Sequence, residues 1–194
     1  MISIRKERPP DAPAREALLD EAFGKRRWRK SSQRLRDGRS PAEGLAFVAT
    51  DGKRVIGTAR LWTLVCGTGE PALLLGPVAV ATDCRNRGVG AALVRRAVAA
   101  DCRNRGVGAA LVRRAISTAT RLGHRAIVLV GDAAYYSRFG FSAGKTADLR
   151  MPGPFERHRL LALELVPGAL DGARGLLRPA GQPISQPHRA VSAA

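Results

Sequence analysis

The residues best suited to bind a ligand lie in a stretch rich in valine, arginine and glycine. The chain reads VAVATDCRNRGVGAAL from Val78 to Leu93, an apolar run followed by a turn that opens a helix. The first N–H groups of a helix lack intrahelical partners and its dipole is positive there, while glycine allows a ligand to approach the backbone. The stretch therefore predicts a phosphate or pyrophosphate site, where Arg85 and Arg87 would donate charge-assisted hydrogen bonds.

Three phosphate-binding patterns can be compared with this stretch. The P-loop pattern ends in Gly-Lys-Ser or Gly-Lys-Thr and is excluded because neither copy of the motif has that lysine. The dinucleotide pattern G-x-G-x-x-G/A is excluded because Leu93 stands where a small residue is required. The third pattern, R-x-x-G-x-G/A after a V-x-V strand, is satisfied by Arg85, Asn86, Arg87, Gly88, Val89 and Gly90.

The same motif occurs a second time. DCRNRGVGAALVRRA occupies residues 83–97 and, letter for letter, residues 101–115, which is an offset of 18 residues. Repeat proteins need at least three stacked units, so two copies of half a unit do not indicate a solenoid. We interpret the repeat as a tandem duplication within one motif, with an error in the assembled gene sequence as the alternative. The second copy offers the equivalent ligand groups Arg103, Arg105, Gly106 and Gly108.

Predicted strands and helices alternate around the motif. Apolar runs predict strands at 2–7, on either side of Asp51-Gly52, at 71–80, at 124–132 and at 158–166. Helices are predicted at 10–24, at a segment that contains Val112, Ala115, Ile116 and Ala119 and ends at Gly123, and within 133–141. This order predicts an α/β fold with a sheet of mixed direction. Glycine and proline accumulate from Pro167 onward, so we expect one domain at 1–166 and an extension with a mobile tail at 167–194.

The composition is that of a globular protein. Hydrophobic residues make up 45% and charged residues 25%, and no apolar run approaches the roughly 20 residues of a membrane span. The first ten residues have no apolar stretch typical of a secretory signal. The cysteines Cys66, Cys84 and Cys102 are too few and too unevenly spaced for a disulfide framework or a metal site. We therefore expect a cytoplasmic protein that binds no metal.

The net charge of +17 would suit a polyanionic partner. However, arginine and alanine are abundant and lysine is scarce, as expected from GC-rich codons, so nucleic acid is an unlikely partner. The segment 25–41 carries eight lysines or arginines and one acid, and we expect it to be a solvated helix-and-loop connection.

Together with its flanking strand, the motif at 78–93 resembles the acetyl-CoA loop of the GNAT superfamily of N-acetyltransferases. A second element, GDAAYYSRFGF from Gly131 to Phe141, resembles the segment after the fifth strand in a bacterial branch of that superfamily. The resemblance covers roughly residues 3 to 166. It implies a mixed, mostly antiparallel twisted sheet with helices on both faces, and acetyl-CoA as the co-substrate.

The resemblance also assigns roles to individual residues. Val78 and Val80 would pair with the pantetheine arm of CoA, and one of their N–H groups would polarise the thioester carbonyl. Residues 85–90 would wrap the pyrophosphate. Tyr136 would protonate the departing thiolate, while Tyr135 is expected to be structural. No general base is evident: Glu70 and Asp132 are the candidate side chains, and a water chain is the alternative.

The duplication departs from the family pattern, because only one arginine–glycine turn can follow the strand at 71–80. In one arrangement the first copy binds CoA and residues 101–108 break the helix and are extruded at its far end. In the other, the second copy forms the loop and residues 83–100 bulge out near the cofactor. We favour the first arrangement, because it keeps the normal spacing from strand to turn and because Gly106 and Gly108 would each cost about 1 kcal/mol inside a helix.

The function expected from these observations is acetyl transfer from acetyl-CoA to an amine by direct attack. The acceptor is unidentified; the basic segment 25–39, which the resemblance places beside the acceptor cleft, favours an acidic or phosphorylated one. The alternatives are a catalytically impaired module that binds an acyl-CoA and, less favoured, a basic nucleic-acid-binding protein. The oligomeric state is undetermined, and a homodimer is compatible with the sequence.

Overall fold

A computed structural model describes residues 1–84 and 106–184 of the 194-residue chain. Its strands are β1 (Ile2–Lys6), β2 (Ala46–Asp51), β3 (Arg54–Val65), β4 (Pro71–Val80), β5 (Ala126–Val130), β6 (Leu149–Arg150), β7 (Leu160–Glu164), β8 (Gly175–Leu176) and β9 (Arg178–Pro179). Its α-helices are α1 (Ala12–Phe23), α2 (Ser31–Arg34), α3 (Val107–Arg121) and α4 (Ala133–Tyr136). Single 3-10 turns lie at Pro9–Asp11, Lys25–Arg29, Thr82–Cys84, Ser137–Phe139 and Arg157–Arg159.

Seven of these strands form one sheet in the order β1-β2-β3-β4-β5-β7, with β9 paired to one end of β3. All neighbours are antiparallel except β4 and β5, which run parallel. The predicted hairpin at Asp51-Gly52 joins β2 to β3, and Gly52 has the positive φ of 56° that such a tight turn requires. The predicted α/β fold with a mixed, mostly antiparallel sheet is confirmed.

The sheet opens between its two parallel strands. Only Leu73 with Ile127 and Leu74 with Val128 are paired across β4 and β5, although β4 continues to Val80. The pairing of β4 with β3 also changes register between Ala59 and Leu61. The Trp62 indole donates a 2.6 Å hydrogen bond to the Gly76 carbonyl at this irregularity. The carboxyl half of β4 is therefore held by β3 and is not paired with β5.

Each face of the sheet has its own apolar core. Successive residues of β4 alternate, so that Leu73 packs with α1 and α3 and Leu74 packs on the opposite face. On the first face, α3 buries Leu111, Val112, Ala115 and Ala119 completely, and Ile116 packs against the same core. This is the stripe that the periodicity predicted. The second core is closed by Leu35, just after α2, and by residues between 149 and 177.

In the described part of the chain, the first α-helix after β4 begins in the second copy of the repeat. Gly106 precedes it with a φ of 62°, and Val107 and Gly108 form its first turn. The preferred arrangement, in which residues 101–108 were extruded at the far end of a helix, is therefore wrong for residues 106–108. The reason is tertiary: α3 has to reach β5 after only a short connection, and the second copy is the one adjacent to β5. The first-copy site residues 85–90, together with Arg103 and Arg105, lie outside the described residues.

The described part of the C-terminal extension packs onto the sheet. Leu170 and Leu177 are almost fully buried in the second core. Arg178 and Pro179 of β9 pair with Val65 and Leu64 of β3. Residues 185–194 of the expected tail lie outside the described residues.

Candidate active site

A cavity of about 430 Å³ lies where β4 and β5 separate. Its floor is formed by residues 74–78 of β4 and by residues 130–132 after β5. Residues between 23 and 36, from the end of α1 to the turn after α2, form one wall, and residues 154–159 and Tyr136 complete it. The two parallel strands thus separate at their carboxyl ends, and this separation forms the cleft.

The two predicted valines lie along the same edge of β4 at different distances from this cavity. Val78 lines the cavity. Val80 lies beside α3, since a Cβ added to Gly108 would be 3.5 Å from its Cγ2 atom. The first turn of α3 also packs closely on β3, where a Cβ at Gly57 would be 3.2 Å from Val107 Cγ1. β4 therefore leads from the cavity to the N-terminus of α3.

The N-terminus of α3 has the features of an anion site. Ala110 N–H makes the first intrahelical hydrogen bond, a 2.9 Å contact with the Gly106 carbonyl. The N–H groups of Val107, Gly108 and Ala109 precede it and lack helical partners. Fifteen residues of aligned peptide dipoles add a partial positive charge at this end. Gly106 and Gly108, two of the predicted ligand residues, are thus located next to Val80.

Tyr136 lines the cavity opposite Val78. Its ring packs edge-on against Tyr135 and Phe141, with centroids 5.0 and 5.9 Å away. Burial, with a smaller effect of Tyr135, raises the pKa of Tyr136 to about 12. The phenol is therefore protonated throughout the neutral range and can act as a proton donor.

Gly131 allows the Tyr136 ring to occupy its position, because glycine has no side chain that would overlap the ring. A Cβ at this position would lie 2.4 and 2.7 Å from Tyr136 Cε2 and Cδ2, and 2.9 Å from Leu129 Cδ1. The Gly131 N–H is fixed by a 2.9 Å hydrogen bond to the Arg159 carbonyl. Sequence reasoning noted the Gly-Asp pair but missed this contact, which only the fold of residues 131–136 reveals.

Tyr135 occupies a different place from Tyr136. Its hydroxyl oxygen would lie 3.2 Å from a Cβ at Gly108, so it reaches the first turn of α3. The Arg138 guanidinium stacks on its ring at 4.6 Å. This side chain connects α4 to α3, and the structural role expected for it stays a prediction.

The two candidate general bases, Asp132 and Glu70, have different surroundings. Asp132 lines the cavity, and its Oδ1 atom accepts a 3.0 Å hydrogen bond from Ala134 N–H at the start of α4. Glu70 lies in the turn between β3 and β4, where it accepts a hydrogen bond from the Thr68 hydroxyl. That hydrogen bond lowers the pKa of Glu70. Of the two, only Asp132 is part of the cavity wall.

The basic segment after α1 is the helix-and-loop connection that the sequence predicted, and five of its eight cationic residues are exposed, but Arg27 and Arg36 are at least partly buried. Arg27 is only 8% exposed, because its guanidinium pairs with Asp20 and Glu16 and stacks on Trp28. Arg36 is half-buried and lines the cavity. Sequence reasoning missed these roles because the charge run has no apolar periodicity that would identify a packed face.

Two segments of the chain, residues 8–100 and 95–141, match the family model of the acetyltransferase (GNAT) family. The first match includes one copy of the repeat and the second match includes the other. Together they span more than half of the chain.

One relative is the uncharacterized N-acetyltransferase YhbS of Escherichia coli strain K12. It is 32% identical over 175 residues, which cover 90% of this chain and 93% of YhbS. The crystal structure of the E. coli YhbS in complex with CoA matches with a TM-score of 0.70 and 30% identity, covering 92% of this chain and 89% of that one.

A second solved structure has the same fold. It is a GNAT family acetyltransferase from Brucella melitensis in complex with acetyl-CoA, with a TM-score of 0.62 and 24% identity. The match covers 93% of this chain and 96% of the Brucella melitensis chain.

Proposed function

Because this chain belongs to the acetyltransferase (GNAT) family, we propose that it transfers an acetyl group from acetyl-CoA to an amine by direct attack on the thioester. The observation that carries this proposal is the edge of β4 that β5 does not pair beyond Leu74. This edge leads from the N-terminus of α3 to a cavity lined by Val78 and Tyr136. A CoA molecule needs an anion site at one end and a reaction chamber at the other, and this edge joins the two. Acetyl-CoA is the co-substrate, in agreement with the ligands of the two similar structures.

The second copy of the repeat forms the pyrophosphate loop. Gly106 and Gly108 lie at the N-terminus of α3 beside the end of β4, which is the position that the family motif requires. Arg103 and Arg105 precede this turn directly in the sequence and would add charge-assisted hydrogen bonds to the pyrophosphate. The first copy, residues 85–90, is then the surplus one.

The reaction proceeds in one displacement. The acceptor nitrogen forms a bond to the acetyl carbon, and the C–S bond breaks as the thiolate leaves. The Val78 N–H would stabilise the negative charge that develops on the carbonyl oxygen, the kind of interaction that is worth roughly 3–4 kcal/mol in other acyl-transfer enzymes. Tyr136 donates its phenolic proton to the sulfur, and its elevated pKa ensures that this proton is present at the start.

The acceptor ammonium has to lose a proton before it can attack. Asp132 is the acid that lines the cavity near Tyr136, so we assign it, directly or through a water molecule, to this step. Its hydrogen bond from Ala134 N–H leaves its other carboxylate oxygen able to accept the proton.

Several finer statements belong to the same proposal. The GDAAYYSRFGF segment assigns the chain to a bacterial branch of the family, and the repeat arose by tandem duplication within the acetyl-CoA loop. The catalytic domain is 1–166 and residues 167–194 are an extension. A cytoplasmic location and a homodimer stay predictions. In the described ranges 1–84 and 106–184, no helix is long and apolar enough to cross a bilayer.

The proposal is tested in two steps. Calorimetric titration with acetyl-CoA should show binding, and its absence at about 100 µM would refute the assignment of the α3 site. Thiol release should then appear with a subset of a panel of amines. Binding without turnover of any amine, and without any effect of Tyr136→Phe, would instead support the catalytically impaired module. The matches to N-acetyltransferases do not favour that alternative or the nucleic-acid-binding one.

A further inference from the structure

The cavity carries more positive than negative charge. Four cationic side chains line it, namely Arg27, Lys30, Arg36 and Arg159, against two acids, Asp132 and Glu156. Arg27 is neutralised from behind by Asp20 and Glu16, which do not line the cavity. Arg159 has Glu156 at 3.5 Å.

In the part of the chain that the structure describes, neither Lys30 nor Arg36 forms such an ion pair. The Arg36 Nε atom donates a 3.0 Å hydrogen bond to the Ser32 carbonyl, which is neutral. Lys30, at the exposed rim, rests its ammonium on the Phe23 ring, 4.6 Å from the centroid. Within the described ranges, neither side chain forms an ion pair with a carboxylate; Asp37 and Glu16 raise the pKa of Arg36 only through the charge of their carboxylates, and burial outweighs them.

The electrostatics of these two groups agree with the geometry. Burial, followed by repulsion from Arg159 and Arg36, lowers the pKa of Lys30. Burial away from water is also the main cause that lowers the pKa of Arg36 to about 10, so that it is still charged at neutral pH. Like charges held together in a partly dehydrated cavity repel one another, and an anion between them would relieve that repulsion.

We propose that Arg36 and Lys30 bind an anionic group of the acceptor, so that the substrate is an amine that also carries a carboxylate or phosphate. This inference rests on the proposed acetyl transfer, since the cavity is then the acceptor site. The same cavity is lined by Asp132 and by Tyr136, whose backbone N–H bonds the Asp132 carbonyl, and the ammonium of the acceptor would lie beside the Asp132 carboxylate. A zwitterionic acceptor therefore matches a cavity that is lined both by cations without an ion pair and by a carboxylate.

The first test measures binding without catalysis. Glutarate and its uncharged diamide are titrated calorimetrically into the full-length protein saturated with acetyl-CoA. Glutarate should bind and the diamide should not. Arg36→Gln should lower the affinity for glutarate by about 10- to 100-fold, as expected for a lost charge-assisted hydrogen bond. Equal behaviour of the two ligands would overturn the proposal. Binding of glutarate only in the absence of acetyl-CoA would also overturn it, because the cations would then serve CoA itself.

The second test measures selectivity in turnover, with matched pairs of amines. Glutamate is compared with glutamine, and phosphoethanolamine with ethanolamine, which distinguishes a carboxylate from a phosphate as the recognised group. At least one charged member should have a kcat/KM at least about tenfold higher than its neutral partner, and Arg36→Gln should bring that ratio towards one. Arg36→Lys, which keeps the charge, should retain part of the preference. Neutral amines used as well as charged ones would refute the inference.

Two further variants separate recognition from folding. Lys30→Gln alters the exposed rim and should lower the same ratio, so the proposal can still be tested if Arg36→Gln does not fold. Arg29→Gln removes an exposed charge from the same segment outside the cavity and should leave the ratio unchanged. A fall as large with Arg29→Gln would show that only net charge matters. If the wild-type protein did not bind acetyl-CoA, the proposed function itself would be refuted. Failure of the proposed function can therefore be distinguished from failure of the proposed anion recognition.

Discussion

The substitution Gly131→Ala tests whether the position of Tyr136 controls the chemical step. The added Cβ would lie 2.4 Å from Tyr136 Cε2, whereas ordinary van der Waals contact begins at about 3.4 Å. The ring must therefore move by roughly 1 Å, because Leu129 Cδ1 at 2.9 Å prevents the Cβ from moving away on the other side. A misplacement of this size can lower a rate by about 10²-fold. We expect a fall of that order in kcat.

The assay is steady-state thiol release at saturating acetyl-CoA, well below the melting temperature. The affinity for acetyl-CoA should change little, because the nearest neighbours of the added Cβ are Tyr136 and Leu129 and not residues of α3. Overpacking of this kind costs about 1–3 kcal/mol, so the melting temperature should fall by several degrees. Gly144→Ala is the matched control, since its Cβ would meet only Ser142 Oγ at 3.7 Å and its φ is not in the left-handed region.

A double substitution shows whether the effect acts through the tyrosine. If Gly131 only positions Tyr136, then Gly131→Ala should lower kcat little further in a protein that already carries Tyr136→Phe. Fully additive losses would refute the reasoning, as would a Gly131→Ala protein that keeps more than half of the wild-type kcat.

Further predictions concern the acid, the anion site, the duplication and acid stability. Tyr136→Phe should lower kcat by about 10²-fold or more without lowering the affinity for acetyl-CoA that calorimetry measures. The wild-type rate should show no loss from phenol ionisation below about pH 11, because the pKa of Tyr136 is raised to about 12. Gly108→Asp should abolish acetyl-CoA binding by placing a carboxylate at the N-terminus of α3, and unchanged affinity would exclude this turn as the pyrophosphate site. Deletion of residues 83–100 restores one copy with identical flanking letters, so binding should persist with an equal or higher melting temperature; a lower one would show that the first copy contributes to the fold. The Arg5 guanidinium lowers the pKa of Asp11 to about 2, so this pair should stabilise the fold by about 1–2 kcal/mol above pH 4 and lose that contribution as the pH falls towards 2, a dependence that should be smaller in Asp11→Asn when unfolding is followed by denaturant titration.

Much of the fold could be predicted because its elements have strong local patterns. The predicted strand at 71–80 agrees with β4 at both ends, and the stripe of Val112, Ala115 and Ala119 faces the core as its spacing indicated. In each case a run of neighbouring residues determines which atoms are apolar and with what period, and burial follows from that period.

The choice between the two repeat copies could not be made from the sequence, because the copies have identical letters and therefore identical local preferences. The choice depends on which copy is followed closely enough by β5 to pack on the sheet, and this is a constraint of tertiary structure. Residues 106–108 therefore lie at the start of α3 instead of at its far end.

The amino-acid sequence by itself determined the motif and the main strands and helices, since these depend on residue types at fixed spacing, while Tyr136 became a candidate acid through the resemblance to the family. Only the tertiary structure decided that Gly131 leaves room for the Tyr136 ring, and that Arg27 forms ion pairs while Arg36 forms none in the described part of the chain. The physical reason is that contact and desolvation depend on distances between residues that are remote in the sequence, and no local pattern encodes those distances.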